Sequence, residues 1–382
     1  MLKVGIIGCG NAGNQICALT ANKYPDIPTI AINCSENDMK LLPKNVIKCL
    51  IGDGKGAGKN REGAQAFLKE AIMDFVNDEE ISKVLDDLEI VFIVSSAGGG
   101  TGSGTSILLS NILSELYSNG GPVPIVVGIL PTISEALSTQ ANALEYLTEL
   151  YNVSDMNLTY MLYDNEKLSK LPSVEILRNV NERVVEDINV LRLFYNKTTT
   201  YNSIDERDAF TLFTTPGRLF VASVFDIKEK DVDDESTIED KLIFDIKKNP
   251  HSELQNDGIV NRTGIIINLS ESLMNQFDTN IPKIQKLIGV PIEAFEHIAV
   301  SKDRKDINNV FFIASGLTPV NDRIAKIKDR IDEINEAQKK QADESELDSE
   351  MLAGVQSKRV YRNTSNKKGD IDLQAIFDKF KK

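Results

Sequence analysis

Apolar positions along this chain fall into two rhythms that alternate. Short continuous apolar runs stand at 3–7, 29–33, 46–51, 90–95, 124–129 and 158–162, the pattern of strands buried on both faces. Between most of them lie longer stretches with helical spacing, such as 61–76, 106–117 and 135–151. Alternation of this kind predicts an α/β fold, a mostly parallel sheet flanked by helices. A helical pattern without a strand then runs over roughly 173–194, about 33 Å at 1.5 Å per residue. A second set of apolar runs, at 219–226, 264–269, 297–301 and 310–314, suits a smaller α+β domain, with the long helix as connector.

The last predicted element is a helix over 319–342. Thr318 is placed to cap it and Pro319 fits its first turn. Val320, Ile324, Ile327, Ile331 and Ile334 form a narrow seam, which packs either on the chain's own body or on another subunit. The layout is therefore a nucleotide-type domain at 1–172, a central helix at 173–196, a second domain at 197–318, the helix at 319–342 and a tail at 343–382.

Charge sharpens the picture of the tail. Residues 343–350 hold five acids, and 351–382 hold eight basic and three acidic residues. With a formal net charge of -14 overall, a basic tail is attached to a strongly acidic body. The body is a poor electrostatic partner for nucleic acid, whereas the tail reads as a disordered interaction arm or a solubilising extension. Within it, Leu373, Ile376, Phe377 and Phe380 would share one face of a short helix.

The remaining composition removes several chemistries. Apolar residues make up 41% and charged residues 26%, an ordinary globular balance. No apolar run approaches the ~18 residues of a membrane span, and the first residues do not read as a signal peptide, so a cytoplasmic protein without a membrane partner is expected. Cys9, Cys17, Cys34 and Cys49 show no metal or redox spacing and read as core thiols. Two distant histidines, His251 and His297, argue against a histidine-based triad or metal cluster. Carboxylates, amides and backbone N–H groups are left to carry the chemistry.

Three glycine loops supply the N–H groups. The first strand runs into Gly8-Cys9-Gly10-Asn11-Ala12-Gly13, a GxGxxG pattern at a strand-to-helix turn. Alone it fits a dinucleotide site, a phosphate site or a structural turn. Asn33 stands where a dinucleotide fold places a ribose acid. The third strand runs into Gly52-Asp53-Gly54-Lys55-Gly56-Ala57-Gly58-Lys59-Asn60, which misses a Walker A loop at Asp53 and at Asn60. The fourth runs into Gly98-Gly99-Gly100-Thr101-Gly102-Ser103-Gly104. Five glycines in seven residues make an anion nest, to which the Thr101 and Ser103 hydroxyls can add donors. Three such loops at successive strand ends imply one polyphosphate site, more than a single pyrophosphate requires, which weighs against a nicotinamide oxidoreductase.

These loops resemble the tubulin/FtsZ superfamily. GGGTGSG at 98–104 is similar to the tubulin signature, and Gly10-Asn11-Ala12-Gly13-Asn14-Gln15-Ile16 and Gly56-Ala57-Gly58-Lys59-Asn60 resemble the flanking loops in the same order. The resemblance implies GTP and GDP as substrate and product. It implies Mg2+ held through phosphates and water, and a head-to-tail homopolymer in which one subunit completes the next one's site. It also implies ribose contact by Glu135, ribose or base contact by Asn165, and guanine contact by Asn181. Thr139 stands where FtsZ has an arginine. The catalytic acids of the family correspond to Asp205 and Asp208 in Asn202-Ser203-Ile204-Asp205-Glu206-Arg207-Asp208, with Glu206 as a substitute in the displaced register. Helix capping is the competing role for that pair. The displaced loop, the last helix and the basic tail look like the TubZ branch, which segregates plasmid or phage DNA. That likeness implies a DNA-bound adaptor docked on the tail; a divergent division-ring or viral positioning filament is the alternative.

Overall fold

The computed structural model describes residues 2–344 except 119, 155–157, 194–203, 229–237, 255–258, 275–283, 285–286 and 302–307. The expectations for the tail beyond 344, and for Asn202 and Ser203, lie outside the described residues.

Ten strands form one sheet. They are β1 (Val4–Cys9), β2 (Thr29–Asn33), β3 (Ile47–Leu50), β4 (Ile90–Ser96), β5 (Val123–Leu130), β6 (Thr159–Asp164), β7 (Gly217–Val224), β8 (Ile259–Ser270), β9 (Val290–Ser301) and β10 (Asn309–Leu317). Their order is β3-β2-β1-β4-β5-β6-β7-β10-β8-β9. The pairings from β3 across to β7 are parallel. Strand β10 is antiparallel to β7 and β8, and β8 runs parallel to β9. The first set of strands is that predicted from apolar runs; in the second set β7 is shifted by two residues, and β8, β9 and β10 are longer than predicted. Strands β8 and β9 run 12 residues each, because polar residues such as Arg262, Glu293 and Glu296 interrupt their apolar runs without interrupting the ladder. The second set also continues the first sheet: β7 joins β6 through the pairs Thr159↔Gly217 and Tyr160↔Arg218.

Helices cover both faces of the parallel part. A short α2 (Glu36–Lys40) follows β2; on one side of the sheet α1 (Gly10–Lys23) and α7 (Ser173–Leu193) bring Ile16, Val180, Val184 and Ile188 onto it. On the other, α3 (Arg61–Asn77), α4 (Glu79–Asp86) and α5 (Thr101–Leu116) bring Leu68, Phe75, Leu85 and Leu113. Asn60 caps α3 at the Gly63 N–H, and Asp78 caps α4 at the Glu80 and Ile81 N–H groups. Helix α6 (Leu137–Ser154) carries the last helix of the described chain, Asn321–Glu344, on its outer side. Val320 and Ile327 are buried there, with Ile324 and Ile331 partly covered, so this much of the seam packs on the chain's own body. That helix starts at Asn321, where the Val320 carbonyl accepts from Arg323 and Ile324. Thr318 does not cap it; its carbonyl instead accepts from the buried Arg218 guanidinium at 3.2 Å.

The long helix is held by buried charge. Asp187 is fully buried and accepts from Tyr163 Oη at 2.8 Å, Arg183 Nε at 2.8 Å and His251 Nε2 at 2.8 Å. Arg183 also grips Asp245 at 2.8 and 3.0 Å, on the helix Ile238–Lys248, and donates to the Val221 carbonyl of β7. The central helix is thereby tied to both halves of the sheet. Burial alone would raise the Asp187 carboxyl, but Arg183 and His251 together outweigh it and hold it below its ordinary range. A depressed native pKa contributes stability above the unfolded-state value, near ~3.9, and that stability is lost as pH falls through the native value. Asp187→Asn should cost about 3 kcal/mol at pH 7, because it leaves Arg183 with Asp245 as its one carboxylate and takes from His251 the charge it faces. Chemical denaturation of both proteins should show the gap closing only below about pH 4.

Candidate functional site

The strand order reverses at β1, whose neighbours are β2 and β4. In an open parallel sheet, the carboxyl ends beside such a reversal diverge and leave a crevice. Here the crevice is a cavity of about 420 Å³. Gly10, Asn11 and Ala12 line it from the first loop, Gly56, Ala57 and Lys59 from the second, and Gly99, Gly100, Thr101 and Gly102 from the third. Asn33, Ser35 and Asp38 close the side beneath β2.

The glycines are explained first by how tightly the loops meet. A Cβ on Gly10 would lie 2.7 Å from the Gly102 nitrogen, and one on Gly102 would lie 2.6 Å from the Cys9 carbonyl oxygen. A Cβ on Gly100 would lie 2.7 Å from Lys59 Cα, and one on Gly104 would lie 2.6 Å from the Arg61 carbonyl oxygen. The third loop is thus wedged between the other two, backbone against backbone. Gly99 differs: a Cβ there would meet only the Ser96 carbonyl oxygen, at 3.8 Å. The turn of the second loop also forces Lys59 into the left-handed region, φ +62°, which a residue with a side chain rarely adopts outside functional sites.

The remaining predicted residues divide. Gly13 and Gly98 sit behind the lining, with Cβ positions 2.3 Å from the Val94 carbonyl oxygen and Thr139 Cγ2. Gly58 is a turn residue with φ +55°. The Ser103 hydroxyl does not serve the cavity; it donates back to the Gly99 carbonyl, as a serine one turn into a helix can. Asn60 spends its side-chain oxygen on the α3 cap. Asn33 is buried, with its oxygen accepting from Ser35 N and its nitrogen donating to Asp38. Gln15 and Asn181 meet at 3.5 Å, bringing α1 and α7 together beside the first loop. Glu135 lies off the cavity lining, and one of its oxygens accepts from the Thr132 N–H at 2.9 Å. Asn165 is buried, and among the described residues its Oδ1 has no donor, an open acceptor at the position expected to meet a ribose or base. Asp205 and Asp208 form a reciprocal capping box on the helix Glu206–Thr214, far along the chain from the cavity, with Glu206 exposed beside them.

The loops bearing Glu135 and Asn165 are braced from the C-terminal helix. Arg323 Nε donates to Asp164 Oδ2 at 2.8 Å, and its Nη2 donates to the Pro131 carbonyl. The Ile133 N–H reaches Glu166 Oε2 at 2.7 Å, linking the two loops directly. Spacing in the sequence offered no sign of this brace.

Chemically the cavity suits an anion. The first turns of α1 and α5 open onto it, presenting helix N-termini and their unpaired N–H groups. No thiol competes: burial pushes Cys9 up to about 12 and Cys17 further still.

Comparison with known proteins bears on the half of the chain that holds the cavity. Residues 3–172 match the Tubulin/FtsZ family, GTPase domain. The chain carries a tubulin/FtsZ GTPase domain. Over 174 residues it is 32% identical to cell division protein FtsZ 1 of Methanocaldococcus jannaschii, a match covering 44% of each chain. A longer match, 24% identical over 88% of this chain and 83% of the relative, is to the tubulin-like protein TubZ of Bacillus cereus. Among solved structures, a protofilament of TubZ from Bacillus thuringiensis serovar israelensis shares the fold, with a TM-score of 0.70 at 18% identity, covering 89% of this chain and 94% of that one.

Within the tubulin/FtsZ domain, Gly99 and Gly102 separate ligand from fold. Gly99→Ala should leave the melting temperature within about 2 °C of wild type, since the added methyl meets no close neighbour. It should weaken GTP binding by roughly tenfold, because it narrows the cradle. Gly102→Ala should instead lower the melting temperature by ~5 °C or more, as Cys9 is forced away. Differential scanning fluorimetry with and without GTP reads both.

Proposed function

We propose that this chain binds GTP in the glycine cradle, hydrolyses it to GDP and phosphate, and polymerises head to tail, each site being completed by the next subunit. The separation of the two parts of the chemistry carries this reading. Asn181, beside the cradle through Gln15, lies in the first half of the central helix, which continues to Leu193. That is about 18 Å further along the axis at 1.5 Å per residue. Asp205, Glu206 and Asp208 follow beyond that end, and none lines the cavity. A second copy stacked along the same direction brings these acids to the first copy's γ-phosphate.

Each residue then has a simple task. N–H groups at the ends of the three loops and Lys59 hold phosphate oxygens. Asn165 accepts from the ribose or base, and Asn181 meets the guanine. Asp205 and Asp208 each spend one oxygen on the cap, and their remaining oxygens, with Glu206, orient and polarise water. The donor set also suits Mg2+ shared with the phosphates. Asp38 offers one carboxylate at the lining, and among the described residues no group of three metal-binding side chains exists to hold the ion alone. Bound there, the ion would offset the charge of the phosphates. The likeness to TubZ over most of the chain supports a filament that segregates or positions plasmid or phage DNA, through an adaptor bound by 351–382.

Turnover per subunit should rise with protein concentration and level off above the assembly threshold. Asp208→Asn should leave GTP affinity within about twofold and cut turnover by at least about tenfold, with filaments that persist in pelleting assays. Turnover per subunit that is constant at every concentration would mean the site is complete within one chain.

Deleting 351–382 should leave GTP hydrolysis and pelleting unchanged while abolishing co-pelleting with the adaptor–DNA complex. In the full chain, co-pelleting should weaken as salt is raised from about 50 to 200 mM.

A further inference from the structure

Helix α6 turns a polar row toward the loops. Thr139, Asn142, Glu145 and Glu149 follow at spacings of three, three and four, one face of a helix. Thr139 Oγ1 accepts from Lys59 Nζ. Glu145 and Glu149 accept from the two terminal nitrogens of Arg61 at 3.2 and 2.6 Å, and Arg61 also donates to the Ser103 carbonyl at 2.9 Å. Asn142, 9% exposed, sits at the centre of the row.

Its amide nitrogen lies 3.1 Å from the Lys59 carbonyl oxygen, 3.0 Å from that of Gly99 and 3.4 Å from that of Gly98. All three neighbours are acceptors, so the nitrogen and not the oxygen must face them. A trans peptide unit points its C=O and its N–H in opposite directions. The carbonyls of Gly98 and Gly99 belong to the units that carry the N–H groups of Gly99 and Gly100. Drawing those carbonyls toward α6 therefore turns the two N–H groups the other way, where Gly99 and Gly100 line the cavity. Among the described residues neither N–H has an acceptor. The Gly99 carbonyl is fixed a second time by the Ser103 hydroxyl.

We infer that Asn142 is the positioning residue of the phosphate cradle: one side-chain amide, reaching from α6, aims two backbone donors into the cavity and holds the left-handed turn at Lys59 beside them. The inference rests on the phosphate reading of the cavity. Asn142 acts from behind the loop and does not line the cavity itself. Aspartate has nearly its shape but only acceptors when ionised, and leucine has nearly its volume but no donor.

The test uses the full chain and a fluorescent GTP analogue. Asn142→Asp as a carboxylate faces three carbonyl oxygens and repels them; protonated, its O–H donates again. Burial among carbonyls keeps the introduced acid protonated to higher pH than an ordinary carboxylate. Its affinity should fall by about tenfold to a hundredfold at pH 8 and recover substantially at pH 6, while the wild type stays level. Asn142→Leu should show a loss of similar size that does not change with pH. The melting temperature without nucleotide reports folding separately, and if the aspartate variant does not fold the leucine variant decides. Wild-type affinity in Asn142→Leu overturns the inference, as does a loss in Asn142→Asp that is the same at both pH values. If the wild type itself does not bind the analogue, the phosphate reading falls and this inference with it.

Discussion

The architecture of this protein depends on one close contact, that of the glycine-loop backbones at the sheet's order reversal. Strands β1 and β4 pair in register up to Cys9↔Ser95, so the chain leaves both at the same height. The first and third loops then have no room for side chains between them. Gly8, Gly10, Gly13 and Gly102 each place a hypothetical Cβ within 2.7 Å of backbone atoms of the neighbouring turns. Glycine in the first turn of α5 is costly for a helix, by up to about 1 kcal/mol each. The contact is kept because only bare backbone lets two helix N-termini converge on one cavity.

Two helices hold the loops in that arrangement, in different ways. Helix α7 is anchored by charge: Arg183, Asp187, His251 and Asp245 fasten it to β6, β7 and the helix Ile238–Lys248, at a cost in desolvation that saturated hydrogen bonding offsets. Helix α6 is anchored by amides, hydroxyls and carboxylates along one row, which meet the glycine loops and Arg61 at the start of α3. The helix Asn321–Glu344 covers α6 from outside, and its Arg323 reaches the loops near Glu135 and Asn165. A shift of that helix would be felt in the loops through these hydrogen bonds.

The α5 start shows why propensity misled where pattern did not. Helical spacing places the beginning near 106, because glycine is a poor helix former, whereas the structure starts it at Thr101. Ser103 was expected among the donors and lies in the right loop, but the helical conformation of that loop turns its hydroxyl to Gly99. Glu135 and the Asp205–Asp208 pair likewise have local partners that spacing alone cannot assign, since capping and catalysis ask for the same residues.

By itself, the sequence determined the parts. Strand rhythm located the parallel strands because burial on both faces demands unbroken apolar runs. The density of glycine located the loops that meet at the cavity because so costly a composition needs a backbone role. Tertiary structure decided the relations: that β7 extends the first sheet, that Asn142 stands behind three carbonyls, that Arg323 braces loops far away in the chain, and that Gly99 alone of the third loop's glycines has room around it. The reason is physical. Local pattern records what each residue needs in solvent or core, whereas hydrogen-bond direction and close approach arise only once distant segments share the same space.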